Sequence, residues 1–281
     1  MSEPQAIAIA HPLAEALRTR PFDGHIFSAF KRAYNLIDAQ DRVIALTSFE
    51  MGRGPFSIVV DGESFFSALK LKQPVFITPE CINIDKWKID LTKAEVWEPQ
   101  ITWPTEPLEI SKAIFEILQP YNHWPQLEPN SPIARQIVSR LSQAANQFNQ
   151  ALIRNENIEA AVMQLVGLGG GLTPAGDDYL VGVMAALRLR GDLDYLSEII
   201  QTALPRTTSL SGAFLAAAAW GEFMEPWHNL AQALSNSDDA AFQRAVNRIS
   251  QFGASSGRDA LAGFTAVLYH SLNNSPTEIP R

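Results

Sequence analysis

Two adjacent acidic residues just inside a glycine-rich helix start are the part of this 281-residue chain best equipped for chemistry. Residues 167 to 182 read GLGGGLTPAGDDYLVG. Gly167, Gly169, Gly170 and Gly171 can take backbone conformations closed to other residues and let a ligand approach the main chain. Thr173-Pro174 is a helix-start signal, with a hydroxyl cap followed by a proline at the first helical position. Tyr179, Leu180, Val183, Met184 and Leu187 then continue at helical spacing. Free N–H groups and the positive dipole end converge at such a start, so Gly169, Gly170, Gly171 and Thr173 are expected to bind a small anion. With Thr173 free to cap the helix, Asp177 and Asp178 are read as functional. The plainer reading makes them first-turn acids favoured by the dipole.

The device recurs. Gly176 to Gly182 (GDDYLVG) can be laid over Gly257 to Gly263 (GRDALAG) with the shared pattern G-x-D-x-L-x-G. Small hydroxyl residues precede both copies, Thr173 in one and Ser255 and Ser256 in the other. If the match is real, Asp178 and Asp259 hold equivalent places at two helix starts and face one cleft. Asp259 then joins Asp177 and Asp178 as a catalytic candidate, and Ser255, Ser256 and Gly257 join the substrate-binding set.

The elements that must position these residues follow from pattern and composition. Hydrophobic residues make up 46% and charged residues 19%, a globular balance. The net charge of −8 argues against nucleic acid or an anionic membrane as partner. Cys81 is the only cysteine, which excludes an intrachain disulfide and a cysteine-rich metal cluster. No basic segment leads into a long apolar core at the amino terminus, and no apolar run is long enough to span a bilayer, so a cytoplasmic protein is expected. From about Asp41 to Pro99 short β-rich runs dominate: 42–47, 56–60, 74–78 and 94–97, with a short helix over 63–71. Residues 26–37 fit period 2 and period 3.6 equally. After Trp103-Pro104-Thr105-Glu106-Pro107 helical patterns take over, at 108–118, 131–153, 157–166, 175–190, 192–203, 208–223, 239–251 and 257–272. Strands first and helices afterwards predict an α+β fold, with a small β-rich domain over 1–105 followed by a larger all-helical domain over 106–281. The glycine loop therefore follows no strand, and no GK[ST] is present, which sets aside Rossmann and P-loop readings.

Other candidates are weaker. The five histidines are scattered without metal-ligand spacing. Ser209 and Ser211 read as an N-cap before an alanine-rich helix, or as hydroxyl donors, with Thr207 and Thr208, to a ligand at the glycine loop. Gly52-Arg53-Gly54-Pro55 reads as a hairpin loop, with Arg53 a candidate for binding a substrate anion.

GLGGGLTPAGDDYLVGVMAAL resembles the signature of the AllH family, whose namesake is a subunit of the oxamate carbamoyltransferase of allantoin degradation. The likeness takes in Arg32-Ala33-Tyr34-Asn35-Leu36, Gly52-Arg53-Gly54-Pro55-Phe56, residues 209–221 and Ser255-Ser256-Gly257-Arg258-Asp259. It departs at Gly170, Ala175 and Ala254, where the family often has proline, serine and threonine. The resemblance implies phosphorolysis of a carbamoyl group, oxalurate plus phosphate giving oxamate plus carbamoyl phosphate. It also implies hetero-oligomeric partners, among them CoA-ligase-like subunits. Bare carboxylates repel phosphate, so Asp177 and Asp178 would bind substrate amide N–H groups, bridge to the oxyanion through Mg²⁺, or act as a base. Two readings of other classes stay open, a non-catalytic anion-binding or assembly subunit and a magnesium-dependent hydrolase.

Overall fold

Short β-branched and aromatic runs broken by Gly, Pro and Asp build the first part of the chain into one nine-stranded sheet. The computed structural model describes residues 3–104, 111–125 and 131–273. Two compact units are present, Met1–Ile101 with Glu222–His228, and Thr102–Gly221 with Asn229–Arg281. The fold class is α+β, with strands confined to the first part and helices dominating the second.

In the sheet unit the chain runs β1 (Gln5–Ala10), α1 (His11–Thr19), β2 (Phe22–Phe30), β3 (Ala33–Asp38), β4 (Val43–Ser48), β5 (Ser57–Asp61), α2 (Glu63–Ala68), β6 (Pro74–Ile77), β7 (Cys81–Ile84), β8 (Trp87–Asp90) and β9 (Glu95–Trp97). The spatial order is β8-β7-β6-β2-β3-β4-β5-β1-β9. Phe22, Ile26, Leu36, Leu46, Ile58 and Val60 form its core with Leu13 and Leu17 of α1 and Phe65 and Phe66 of α2. The ambiguous stretch 26–37 resolves into the antiparallel pair β2 and β3. Ahead of the runs read from the sequence, small apolar residues form β1 and Pro12 starts α1 in its first turn. One sequence reading is corrected here. Gly52-Arg53-Gly54-Pro55 is no hairpin, since β4 and β5 pair parallel and the loop carries the chain back along the sheet.

The helical unit contains α3 (Lys112–Leu118), α4 (Pro132–Arg154), α5 (Ile158–Leu165), α6 (Ala175–Arg190), α7 (Asp194–Ala203), α8 (Ser209–Trp220), most of α9 (Glu225–Ser235), α10 (Asp239–Ser250) and α11 (Ser256–Asn273). Most helix limits fall within a residue or two of the periodic pattern, whereas α9 was not foreseen: its polar, Pro-containing start hides the period. Residues 105–107 of the expected boundary and 108–110 of the expected first helix lie outside the described residues.

Helix α6 is buried on nearly every side, so it is a central helix rather than an amphipathic surface one. Its closest neighbour is α11. The two cross backbone to backbone. A Cβ added at Gly182 would sit 1.7 Å from the Ala260 carbonyl oxygen, and one at Gly263 would sit 2.0 Å from that of Tyr179. Each glycine therefore meets the residue three before its counterpart, so the crossing is symmetric under exchange of the two repeats. The helix starts repeat the device: Gly176 presses on the Leu165 carbonyl at the end of α5, and Gly257 on the Ile249 carbonyl at the end of α10. In both copies the N–H groups of the next two residues return to one oxygen, Pro174 in the first and Ser255 in the second. The match read in the sequence is thus a repeated helix-loop-helix unit.

The crossing yields a stability prediction. Gly182→Ala must push α6 and α11 apart, and should cost about 3 kcal/mol or more, at the upper end of overpacking effects. Gly170→Ala, where an added Cβ meets nothing within 4 Å, should change stability little. Urea unfolding of both variants checks this; a Gly182→Ala midpoint equal to the parent's would contradict it.

Candidate functional site

The glycine loop is built by the end of α5 and the start of α6. Gly167, Gly169 and Gly171 have φ of 70°, 122° and 91°, a region that side chains disfavour, so the segment needs glycine to fold back. Leu168 N–H bonds the Leu165 carbonyl, and the Leu168 carbonyl receives the Gly176 N–H at 2.9 Å. The loop thus closes over its own helix start. This corrects the expected cap: Pro174, not Thr173, is the N-cap residue, and no side chain caps the helix. The Thr173 hydroxyl instead lies 3.0 Å from Ser256 Oγ. The donors left over are loop amides rather than helix amides. Among the described residues no hydrogen bond engages the N–H groups of Gly169, Gly170, Gly171 or Leu172. Gly170 and Gly171 are exposed with open space around them.

Asp177 is fully buried and its oxygens are engaged. Oδ1 accepts the Gly167 N–H at 2.8 Å; Oδ2 accepts from Ser211 at 2.9 Å and from Thr207. Burial raises its pKa while these donors pull the other way. Asp177 thereby ties the first residue of the loop to the start of α8. Thr208 caps α8 by accepting the Ser211 N–H and donates to the Leu172 carbonyl. Thr207 and Thr208 therefore hold the loop in place, and Ser209 is the exposed first residue of α8.

Asp178, one residue on, faces elsewhere. It is buried, and the hydroxyls of Ser256 and Thr173 bond to it. Asp259, at the matching place on α11, accepts the Trp124 indole N–H on Oδ1 at 2.6 Å and bonds the Ser255 hydroxyl. Each carboxyl keeps one buried oxygen, Oδ2, with no partner. A buried polar atom without a partner costs about 1–3 kcal/mol, so two at matched positions call for an explanation. Burial holds Asp178 well above the usual carboxylate range; the Ser256 and Thr173 hydroxyls pull it down, and the negative charges of Asp259 and Asp177 push it further up. Burial also raises Asp259, against its indole and hydroxyl donors and the nearby Arg258 guanidinium. Two coupled carboxyls with unequal proton affinities can divide into one that gives a proton and one that takes it. Thr173, Asp178, Ser255, Ser256 and Asp259 are thus brought together with the loop amides, while Gly257 serves the packing of α11 against α10.

Arg53 lies in the sheet unit, where its guanidinium makes a two-pronged pair with Glu95 at 3.0 Å on each arm. Sequence reasoning missed Trp124, whose bond to Asp259 spans 135 residues. Its ring also packs against Tyr179 at 4.7 Å between centroids. Magnesium fits the Asp177–Asp178 pair poorly, because Asp177 already accepts from three donors. Among the described residues no group of three or more His, Cys, Asp or Glu side chains is placed to hold a metal. No helix there is long and apolar enough to cross a membrane.

Two family models match the chain. One, described as oxamate carbamoyltransferase subunit AllH, covers residues 165–268. The other, described as the AllH family N-terminal domain, covers residues 5–96. No solved structure matches the chain.

The site predicts opposite stability effects for adjacent aspartates. Asp177→Ala strips acceptors from three donors and should cost about 2–4 kcal/mol. Asp178 has a raised pKa in the fold, so its stabilising contribution is complete below the unfolded value and is lost as pH rises through the folded one. Asp178→Asn removes that loss. Its stability relative to the parent should therefore grow by up to about 1.4 kcal/mol per pH unit from near pH 4 to the folded pKa. Denaturant titrations across that range measure it; a pH-independent difference would refute the assignment.

Proposed function

The chain belongs to the AllH family, and on that footing we propose that it is a catalytic subunit of an oxamate carbamoyltransferase-like enzyme. The reaction is phosphorolysis of a carbamoyl group: oxalurate and phosphate give oxamate and carbamoyl phosphate. The observation that carries the reading is the meeting of two features at Thr173, a loop with unengaged amides on one side and a buried carboxyl pair on the other. The amides of Gly169, Gly170, Gly171 and Leu172 bind the phosphate. Preorganised N–H groups stabilise the charge that collects on phosphate and carbamoyl oxygens without having to reorient. Asp178 and Asp259 handle the protons and the amide N–H groups of the carbamoyl substrate. Both free oxygens are shielded, so substrate entry opens the Thr173–Ser256 contact and excludes water behind it. Asp177 and the hydroxyls of Thr207, Thr208 and Ser211 hold the loop to α8. Partner subunits, CoA-ligase-like ones among them, complete the enzyme.

Two variants of the assembled enzyme test this in an oxalurate phosphorolysis assay. Gly170→Asp places a carboxylate among the loop amides without crowding them, and should raise the KM for phosphate about tenfold or more, roughly 1.4 kcal/mol of lost binding. Asp178→Asn should lower kcat about a hundredfold or more while the protein stays folded. If Asp178→Asn turns over at the parental rate, the chain is a binding or assembly subunit instead.

A further inference from the structure

The two carboxyls of the repeat receive different kinds of partner. Asp259 Oδ1 accepts from the Trp124 indole, and an indole N–H donates and never accepts. A proton on that oxygen would face a second proton, so the contact favours the ionised form. Arg258, next in sequence, adds a favourable charge. The side-chain partners of Asp178 are the hydroxyls of Ser256 and Thr173, which accept as readily as they donate. Those hydroxyls are 3.0 Å apart; they lower the Asp178 pKa, but burial, together with the negative charge of Asp259, outweighs them and favours the protonated form. The two copies of the repeat differ here. Ser256 on α11 corresponds to Ala175 on α6 in the GDD and GRD alignment. One copy therefore offers a hydroxyl where the other offers a methyl group, and Asp259 is served by the Ser255 hydroxyl and by the Trp124 indole, for which Asp178 has no counterpart.

Resting on the carbamoyltransferase reading, we infer that the pair works with divided roles: Asp259 is the carboxylate that takes the proton of the attacking phosphate, Asp178 is the acid that protonates the leaving nitrogen, and Trp124 is the positioning residue that fixes which is which. A phosphate oxygen bonds to the carbamoyl carbon as its own proton passes to Asp259. The bond from that carbon to the oxamate nitrogen breaks, its electron pair goes to nitrogen, and Asp178 supplies the proton. Oxalurate and hydrogen phosphate become oxamate and carbamoyl phosphate with total charge unchanged. Transfer of the proton from Asp259 to Asp178 restores the pair. Among the described residues the other ionisable groups around the pair are Asp177 and Tyr179 on α6 and Arg258 on α11. Asp177 is held by three donors. Tyr179 is bonded to Asn149 of α4, and burial raises its pKa.

Infrared spectroscopy of the full chain at neutral pH reads the proton directly, without turnover. The carbonyl stretch of a buried carboxylic acid is expected in the parent, lost in Asp178→Asn and kept in Asp259→Asn. Its absence from the parent, or its loss in Asp259→Asn alone, overturns the assignment whether or not the enzyme is a carbamoyltransferase. The assembled enzyme supplies the second readout. In the pH profile of kcat/KM, Asp259 must be ionised and Asp178 protonated, so activity falls at both ends. Trp124→Phe removes the donor, raises the Asp259 pKa and should move the acid limb up by about one pH unit. The alkaline limb should stay in place. A Trp124→Phe profile that is lower but unshifted overturns the positioning role. A profile that depends on added Mg²⁺ places a cation between the two free oxygens and overturns the divided pair.

Discussion

Everything at the site depends on two glycines that let α6 and α11 touch through their backbones. Ordinary helix pairs keep about 8–10 Å between axes because side chains interdigitate. At Gly182 and Gly263 there is no side chain, and the carbonyls of Ala260 and Tyr179 fill the space a Cβ would need. Asp178 and Asp259 each stand four residues before their crossing glycine, so the same contact that joins the helices brings the carboxyls together. Two effects then compete over their charge. A helix start favours a negative group by about 0.3–1 kcal/mol, whereas full burial shifts a carboxyl by up to 3–5 pKa units, about 4–7 kcal/mol. Burial wins, which is why first-turn acids that would normally be ionised are held with raised pKa values.

Adjacent aspartates divide cleanly between holding and chemistry because consecutive helical residues point about 100° apart and do not share a face. Asp177 turns towards α8, where Gly167, Thr207 and Ser211 satisfy it. Asp178 turns towards α11, where hydroxyls meet it and one oxygen stays free. The first makes the loop rigid, and a rigid loop is what allows amides to be aimed before a ligand arrives. The second sits where that loop ends. Removing either residue would disturb the site, but for different physical reasons.

The passage from a strand-rich part to a helical part was legible because periodicity is a local property, although β1, α1, β7, β8 and α9 were too short or too polar in pattern to be read. The G-x-D-x-L-x-G repeat was legible because it is carried by backbone requirements. Gly176, Gly182, Gly257 and Gly263 are each needed where a carbonyl presses close, and sequence displays such needs plainly. Much of what stayed hidden at the site was non-local. Trp124 reaches Asp259 from a loop before α4, and nothing at either position announces it. Arg53 looked available until Glu95 engaged it. Thr173 carried a cap signal in its Thr-Pro step, but the helix begins one residue later, with Pro174 as the extended cap residue. The parallel pairing of β4 and β5 escaped because a short Gly-Pro loop more often joins antiparallel strands.

A phosphate bound beside carboxylates, as the proposed function requires, looks self-defeating, and the proposed unequal pair removes the difficulty. Unit charges about 4 Å apart at an effective dielectric constant near 20 interact by about 4 kcal/mol, so two ionised aspartates would strongly oppose a phosphate dianion. The loop amides offset part of that through partial charges alone. With Asp178 neutral, its repulsion disappears and its proton becomes available as a donor. Asp259 keeps its charge where the Trp124 indole and Arg258 partly balance it. On the proposed reaction, the proton that burial favours on Asp178 is what makes the site tolerant of an anion, and it is also the proton the leaving nitrogen requires. In the proposed mechanism electrostatic tolerance and acid catalysis come from one buried group, and the Trp124 indole on Asp259 decides which copy of the repeat supplies it.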